Sequence, residues 1–250
     1  MSTATKLLLA AWATSAAWSS PGPSAQLMSR VLEQKLTSAL SVQQRPLRML
    51  LSEIDAHLSG SDFILFDLEI CGEEPVVSAS ADSGTTVGAV LSETAKRTRQ
   101  LKYRTAGERV IHVSTAGPCS IPSNPMDLRI RNFEHQQIDV FNFISRPWEW
   151  IPELREWMVS RDMSRGPSGR AGVVARSVGG VKIDVRLQNK SVREILNYVV
   201  EQGSMLGPSR TRFGWIYRYD PSATTPFQAN RWEVFLNART GAVPAAKAKK

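Results

Sequence analysis

The sequence predicts an α+β protein made of tandem small strand-helix-strand-strand repeats, with short helices packed on mixed sheets. Three observations lead there. Short runs such as Val181 to Leu187 alternate apolar and polar residues at period two, as half-buried strands do. Stripes such as Leu47, Leu50, Leu51 and Ile54 follow them at helical spacing. The same order of runs returns along the chain, the mark of an internal repeat.

The first 25 residues read as a signal peptide. Met1 to Lys6 is short and basic, Leu7 to Trp18 is apolar apart from Thr14 and Ser15, and a Pro-rich stretch follows. Ser24 and Ala25 offer a cut before Gln26. The apolar run is short against the roughly 20 residues of a spanning helix, and no second run follows, so no transmembrane segment is expected after cleavage. The expected location is periplasmic or extracellular.

Residues 26–160 form a first repeat region with three units. In the first, Leu36 to Val42 is a strand, Pro46 opens a helix carrying Leu47, Leu50, Leu51, Ile54 and Leu58, and Phe63 to Ile70 returns as a strand. In the second, Val76 to Ala81 is a strand and Asp82-Ser83-Gly84 a turn, followed by a helix with Val87, Val90 and Leu91 on one face. Leu101 to Thr105 and Arg109 to Val113 then make a hairpin around Ala106-Gly107. The third unit is weaker: Met126 to Phe133 as a strand, then Ile138, Phe141 and Ile144 as a helix face ended by Pro147. A further short helix opens at Pro152 and holds Leu154, Trp157 and Met158.

Residues 161–180, rich in Gly, Ser and Arg, read as a linker or mobile loop, although Val173 to Val178 has the pattern to pair with Val181 to Leu187. The last unit covers 181–240. After its first strand and the turn Gln188-Asn189-Lys190, Ser191 and Glu194 have capping-box spacing and fix a helix start. Val192, Ile195, Leu196, Val199 and Val200 form the stripe, ending near Gly203, and strands at Gly214 to Tyr219 and Arg231 to Leu236 follow. Residues 241–250, with Lys247, Lys249 and Lys250, read as an unfolded basic tail.

The phrases Val181 to Leu187 with Ser191 to Leu196, and Val76 to Ala81 with Thr86 to Leu91, resemble the short repeated modules at the N-termini of secretins and TonB-dependent receptors. Their usual phrase is a strand followed by x-V-x-x-x-L on a helix. The resemblance implies periplasmic protein-protein contact or signalling, by adding a strand or docking a helix against an envelope partner. This chain lacks the barrel or pore region that such modules accompany.

Chemistry is sparse. His57, His112 and His135 have no metal-site spacing, and His112 alternates with Ile111 and Val113 as a surface or edge residue would. Asp67 and Glu69 share one strand face, as hydrolase carboxylates can, but an exposed polar face explains them more simply. There is no GxSxG, P-loop or GxGxxG, and no cofactor is expected. Arg210, Arg212, Phe213, Trp215, Tyr217, Arg218 and Tyr219 form the best binding-surface candidate, since interleaved aromatics and Arg can stack on bases or sugars. The competing reading is a packed sheet face, because Trp215, Tyr217 and Tyr219 point the same way. Trp148, Trp150 and Trp157 could similarly line a groove or fill a core. Cys71 and Cys119 each follow a strand-like run, and an even count allows one disulfide in an oxidising compartment; two separate buried thiols is the alternative. The net charge of +8 favours anionic surfaces as secondary partners. The expected function is a non-catalytic interaction or scaffold protein of the bacterial envelope. A nucleic-acid or anionic-polymer binder and a secreted hydrolase are the alternatives.

Overall fold

A computed structural model describes residues 30–59, 63–98, 101–115, 124–161, 180–206 and 211–238. The signal peptide, most of the expected linker, Arg210, Cys119 and the basic tail lie outside the described residues.

Helices and mixed sheets make an α+β fold. The first half runs β1 (Leu40–Pro46), α1 (Leu47–Ala56), β2 (Leu65–Cys71), β3 (Val76–Ala81), α2 (Val87–Arg97), β4 (Leu101–Thr105) and β5 (Val110–Thr115). The second runs β6 (Arg129–Asp139), α3 (Val140–Ser145), α4 (Pro152–Val159), β7 (Lys182–Ser191), α5 (Val192–Leu206), β8 (Thr211–Tyr219), α6 (Pro226–Ala229) and β9 (Asn230–Ala238).

Four of the helices begin in the same way. Gln44, Gly84, Gln137 and Asn189 all have φ between +46° and +87°, and each stands three residues before the first residue of α1, α2, α3 or α5. This left-handed residue turns the chain out of its strand; Gly and Asn bear it easily, whereas Gln does so against about 1–2 kcal/mol of steric cost. The two Gln residues sit in bulges of β1 and β6, and the bulge N–H is satisfied from the paired strand both times: Gln44 donates to Ser78 Oγ at 2.9 Å, Gln137 to Asp184 Oδ1 at 2.8 Å. Helix capping follows at once. Thr86 and Asp139 accept from Ala89 N and Asn142 N, and Ser191 and Glu194 close the expected capping box, with Glu194 Oε2 accepting from Ser191 N and Ser191 Oγ from Glu194 N. In α1, where Pro46 precedes the helix, Glu74 Oε1 accepts from Arg48 N instead. Beyond the cap, each helix buries its first, fourth and fifth residues: Leu47, Leu50, Leu51; Val87, Val90, Leu91; Val140, Phe143, Ile144; Val192, Ile195, Leu196.

The layers follow from these faces. β4-β5-β2-β8-β9 form one five-stranded sheet in which β5, β2 and β8 run parallel and β4 and β9 antiparallel at the ends. On one face Phe66, Leu68, Ile70, Ile111, Val113 and Ile216 pack with α1 and α2, which are covered in turn by the β1-β3 ribbon. On the other, Leu65, Val110, Trp215 and Tyr217 pack with α3 and α5 under the β6-β7 ribbon. The sheet therefore takes strands from both halves, with β2 of the first paired to β8 of the second. No helix among the described residues is long and apolar enough to cross a membrane.

Several local expectations shift. The strand expected at Leu36 to Val42 lies at Leu40–Pro46. β6 continues through its bulge to Asp139, which moves the helix face from Ile138, Phe141 and Ile144 to Val140, Phe143 and Ile144. Gln188-Asn189-Lys190 belongs to β7 rather than forming a separate turn. Gly203 does not end α5, which runs to Leu206; it is where α3 approaches, since a Cβ there would stand 2.5 Å from Val140 Cγ1.

Candidate functional site

Parallel strands that carry cover on both faces are usually apolar throughout. β2 departs from this at Asp67 and Glu69, which point toward α5 together with their sheet neighbours His112 on β5 and Trp215 on β8, both in register with Asp67. α5 answers with Arg193 and Asn197, one helical turn apart and so on the same face. Asp67 is 1 % exposed, His112 6 %, Arg193 6 % and Asn197 4 %.

The bonds within this cluster are mutually consistent. Trp215 Nε1 donates to Asn197 Oδ1 at 2.9 Å, which fixes the amide so that Nδ2 donates to Asp67 Oδ2 at 2.5 Å. Asp67 Oδ1 accepts from His112 Nδ1. A carboxylate can only accept, so the Nδ1 proton belongs to that bond, and Arg193 Nη1, 3.1 Å from the same nitrogen, lies against the ring without a bond of its own. Arg193 Nη2 instead pairs with Glu69 Oε2, and the Glu69 Oε1 accepts from Asn124 Nδ2 at 2.6 Å. The guanidinium also stands 5.7 Å from the centre of the Trp215 ring. Trp215 is itself stacked on Trp232 at 5.3 Å.

Asp67 beside His112 has the form of an orienting carboxylate and an imidazole, two parts of a nucleophilic triad. Among the described residues no hydroxyl or thiol bonds the imidazole, and no group of three His, Cys, Asp or Glu could hold a metal. α5 seals the cluster. It holds Arg193 and Asn197 of the second half against Asp67, Glu69 and His112 of the first.

The chain matches no protein-family model, curated protein or solved structure.

The residues expected to bind partners are placed mainly inside. Trp215 and Tyr217 are buried in the second core, as the packed-face reading requires. The Tyr217 hydroxyl donates to Asn230 Oδ1 at 2.5 Å, and burial, reinforced by the charge of Glu69, pushes its pKa well above the ordinary phenol value. Arg212 is buried with its guanidinium 4.1 Å from the centre of the Phe63 ring. Arg218 bridges to Glu74 at 3.2 Å, in a network with Arg48 and Glu233 that again joins the halves. Arg218 and Tyr219 remain partly open, Tyr219 on a cavity of about 320 Å³ with Trp157, Arg161 and Asn230. The Trp148 and Trp150 rings pack against the second core.

Two expectations are corrected by burial. Asp67 and His112 are not surface residues; the polar face of β2 is covered by a helix from the other half of the chain. Arg193 and Asn197 carried no signal beyond polar residues within an amphipathic helix, yet they complete the cluster. Farther along α5, Glu201 Oε1 accepts from Arg109 N at 2.9 Å at the β4–β5 turn, and burial raises its carboxyl pKa. Cys71, at the end of β2, is disulfide-bonded, while Cys119, the chain's other cysteine, lies outside the described residues.

Proposed function

We propose that this chain is a non-catalytic interaction or scaffold protein of the bacterial envelope, periplasmic or secreted, built from modules like those that precede secretins and TonB-dependent receptors. The observation that carries this reading is the fourfold junction: strand, left-handed residue, cap, then a helix burying its first, fourth and fifth residues. That recurrence is a packing design, and two sets of charged groups, around Arg193 and around Glu74, are spent on joining the two halves. The signal-peptide pattern and the disulfide at Cys71 support an oxidising location. The secreted-hydrolase alternative is disfavoured because Asp67 is sealed and saturated, and the nucleic-acid alternative because the aromatic strand face is core.

The test joins processing, partner capture and chemistry. Mass spectrometry of the chain recovered from the envelope or medium is expected to show an N-terminus at Gln26. A photo-crosslinker at exposed Gln43 or Gln136, on the two outer ribbons, is expected to trap the same envelope protein in repeated preparations. Asp67→Asn and Glu69→Gln are expected to change no turnover on a hydrolase panel. An uncleaved cytoplasmic chain, or an activity lost in those two variants, contradicts the reading.

A further inference from the structure

We propose that Glu201 makes the contact between α5 and the β4–β5 turn an acid-strengthened clamp, one that holds the two halves together more firmly as the medium acidifies and less firmly toward neutral pH. The contact is close. Glu201 Oε1 accepts from Arg109 N at 2.9 Å, and a Cβ on Gly107 would stand 3.3 Å from Glu201 Oε2, so the carboxyl lies directly against the backbone of the turn. The turn belongs to the first half and α5 to the second.

This carboxyl lacks what the other joining carboxylates have. Glu69 pairs with Arg193, and Glu74 with Arg48 and Arg218. Glu201 has the one hydrogen bond and no ion pair among the described residues. Arg109, on the turn itself, lays its guanidinium 4.4 Å from the centre of the Phe63 ring instead of on the carboxylate. Arg212 of β8 takes up the same ring at 4.1 Å, and its Nη1 donates to Ser204 O of α5 at 3.4 Å. Glu108, next to Arg109, brings a second negative charge to the turn. A half-buried carboxylate without a cation favours its protonated form. Burial accordingly holds the Glu201 carboxyl above the ordinary range, and the Glu108 charge adds to this; the bond from Arg109 N and the Arg109 charge oppose them without cancelling them. Protonation removes the charge and still leaves a carbonyl oxygen to accept from Arg109 N, so the contact survives in acid.

A carboxyl that ionises later in the folded chain than in the unfolded one adds stability that is complete below the unfolded pKa and is lost as pH rises through the folded one. The clamp needs only this one acid and does not rest on the envelope reading. Glu201→Gln keeps the shape and the acceptor for Arg109 N but cannot ionise, so it isolates the charge from every other titrating group. Urea unfolding of wild type and variant from about pH 4 to about pH 8 should show a gap between their midpoints that is smallest at the acid end. With rising pH the gap should widen in favour of the variant and then level off. Nuclear magnetic resonance on the wild type alone gives a second reading: the Arg109 amide signal should titrate with a midpoint above the ordinary carboxylate range, and that titration should vanish in Glu201→Gln. A gap that does not change with pH, a wild type that gains on the variant as pH rises, or an Arg109 amide that titrates within the ordinary range or still titrates in Glu201→Gln overturns the proposal.

Discussion

Arg193→Ala is expected to lower the unfolding free energy by about 3–5 kcal/mol, the cost of removing one partner from a buried ion pair. Glu69 would keep Asn124 as its hydrogen-bond partner but lose the cation that neutralises it, and its side chain is only 15 % exposed. The Trp215 ring would lose the guanidinium beside it. Urea unfolding should show a lower midpoint with an unchanged slope, since the variant exposes the same surface on unfolding. Arg193→Lys should recover part of the loss, because an ammonium can reach Glu69 but lacks the planar fork that also lies against His112 and Trp215. If Arg193→Ala unfolds like the wild type, the cluster is not a joint between the halves.

Trp215→Ala should cost a similar amount, about 3–5 kcal/mol, by emptying a fully buried ring site beside the middle strand of the sheet. Trp215→Phe separates packing from hydrogen bonding. It fills most of the volume but leaves Asn197 Oδ1 without its donor, a buried vacancy of about 1–3 kcal/mol. Thermal or urea unfolding of both variants checks the order: wild type, Phe, Ala. Equal stability of the Phe variant and the wild type would show that the amide finds another donor, and that its orientation is not set by Trp215.

The helices were readable because their information is local. Val87, Val90 and Leu91, or Val192, Ile195 and Leu196, mark a buried face within five residues, and the Ser191–Glu194 box declares its own start. Where a bulge intervened, the phase slipped: Gln136-Gln137 adds residues that no periodicity reveals, so the face beginning at Val140 was displaced. The joint was unreadable for a different reason. Asp67 and Glu69 alternate with apolar residues as a solvent-facing strand would, and their cover arrives from Arg193, 124 positions beyond Glu69. Alternation reports that two faces differ, not that one is wet. The same ambiguity hid His112, whose partner lies on a neighbouring parallel strand rather than nearby in sequence. The basic aromatic strand was legible in chemistry but not in role: Arg212 lies over Phe63 and Arg218 pairs with Glu74, both from the first half of the chain.

The central claim is that the two halves, joined by β2 pairing with β8 and by the Asp67–Arg193 cluster, unfold as one unit. The distribution of tryptophan makes this directly measurable, since Trp148, Trp150, Trp157, Trp215 and Trp232 all lie in the second half and residues 30–115 contain none. Tryptophan fluorescence therefore reports the second half, while far-ultraviolet circular dichroism reports both. Followed together through a urea titration of the chain from Gln26 onward, which leaves out Trp12 and Trp18, the two signals should trace one coincident transition with the same midpoint and slope. A fluorescence transition displaced from the circular dichroism transition, with the latter resolved into two steps, would show that the halves unfold independently and would contradict the account.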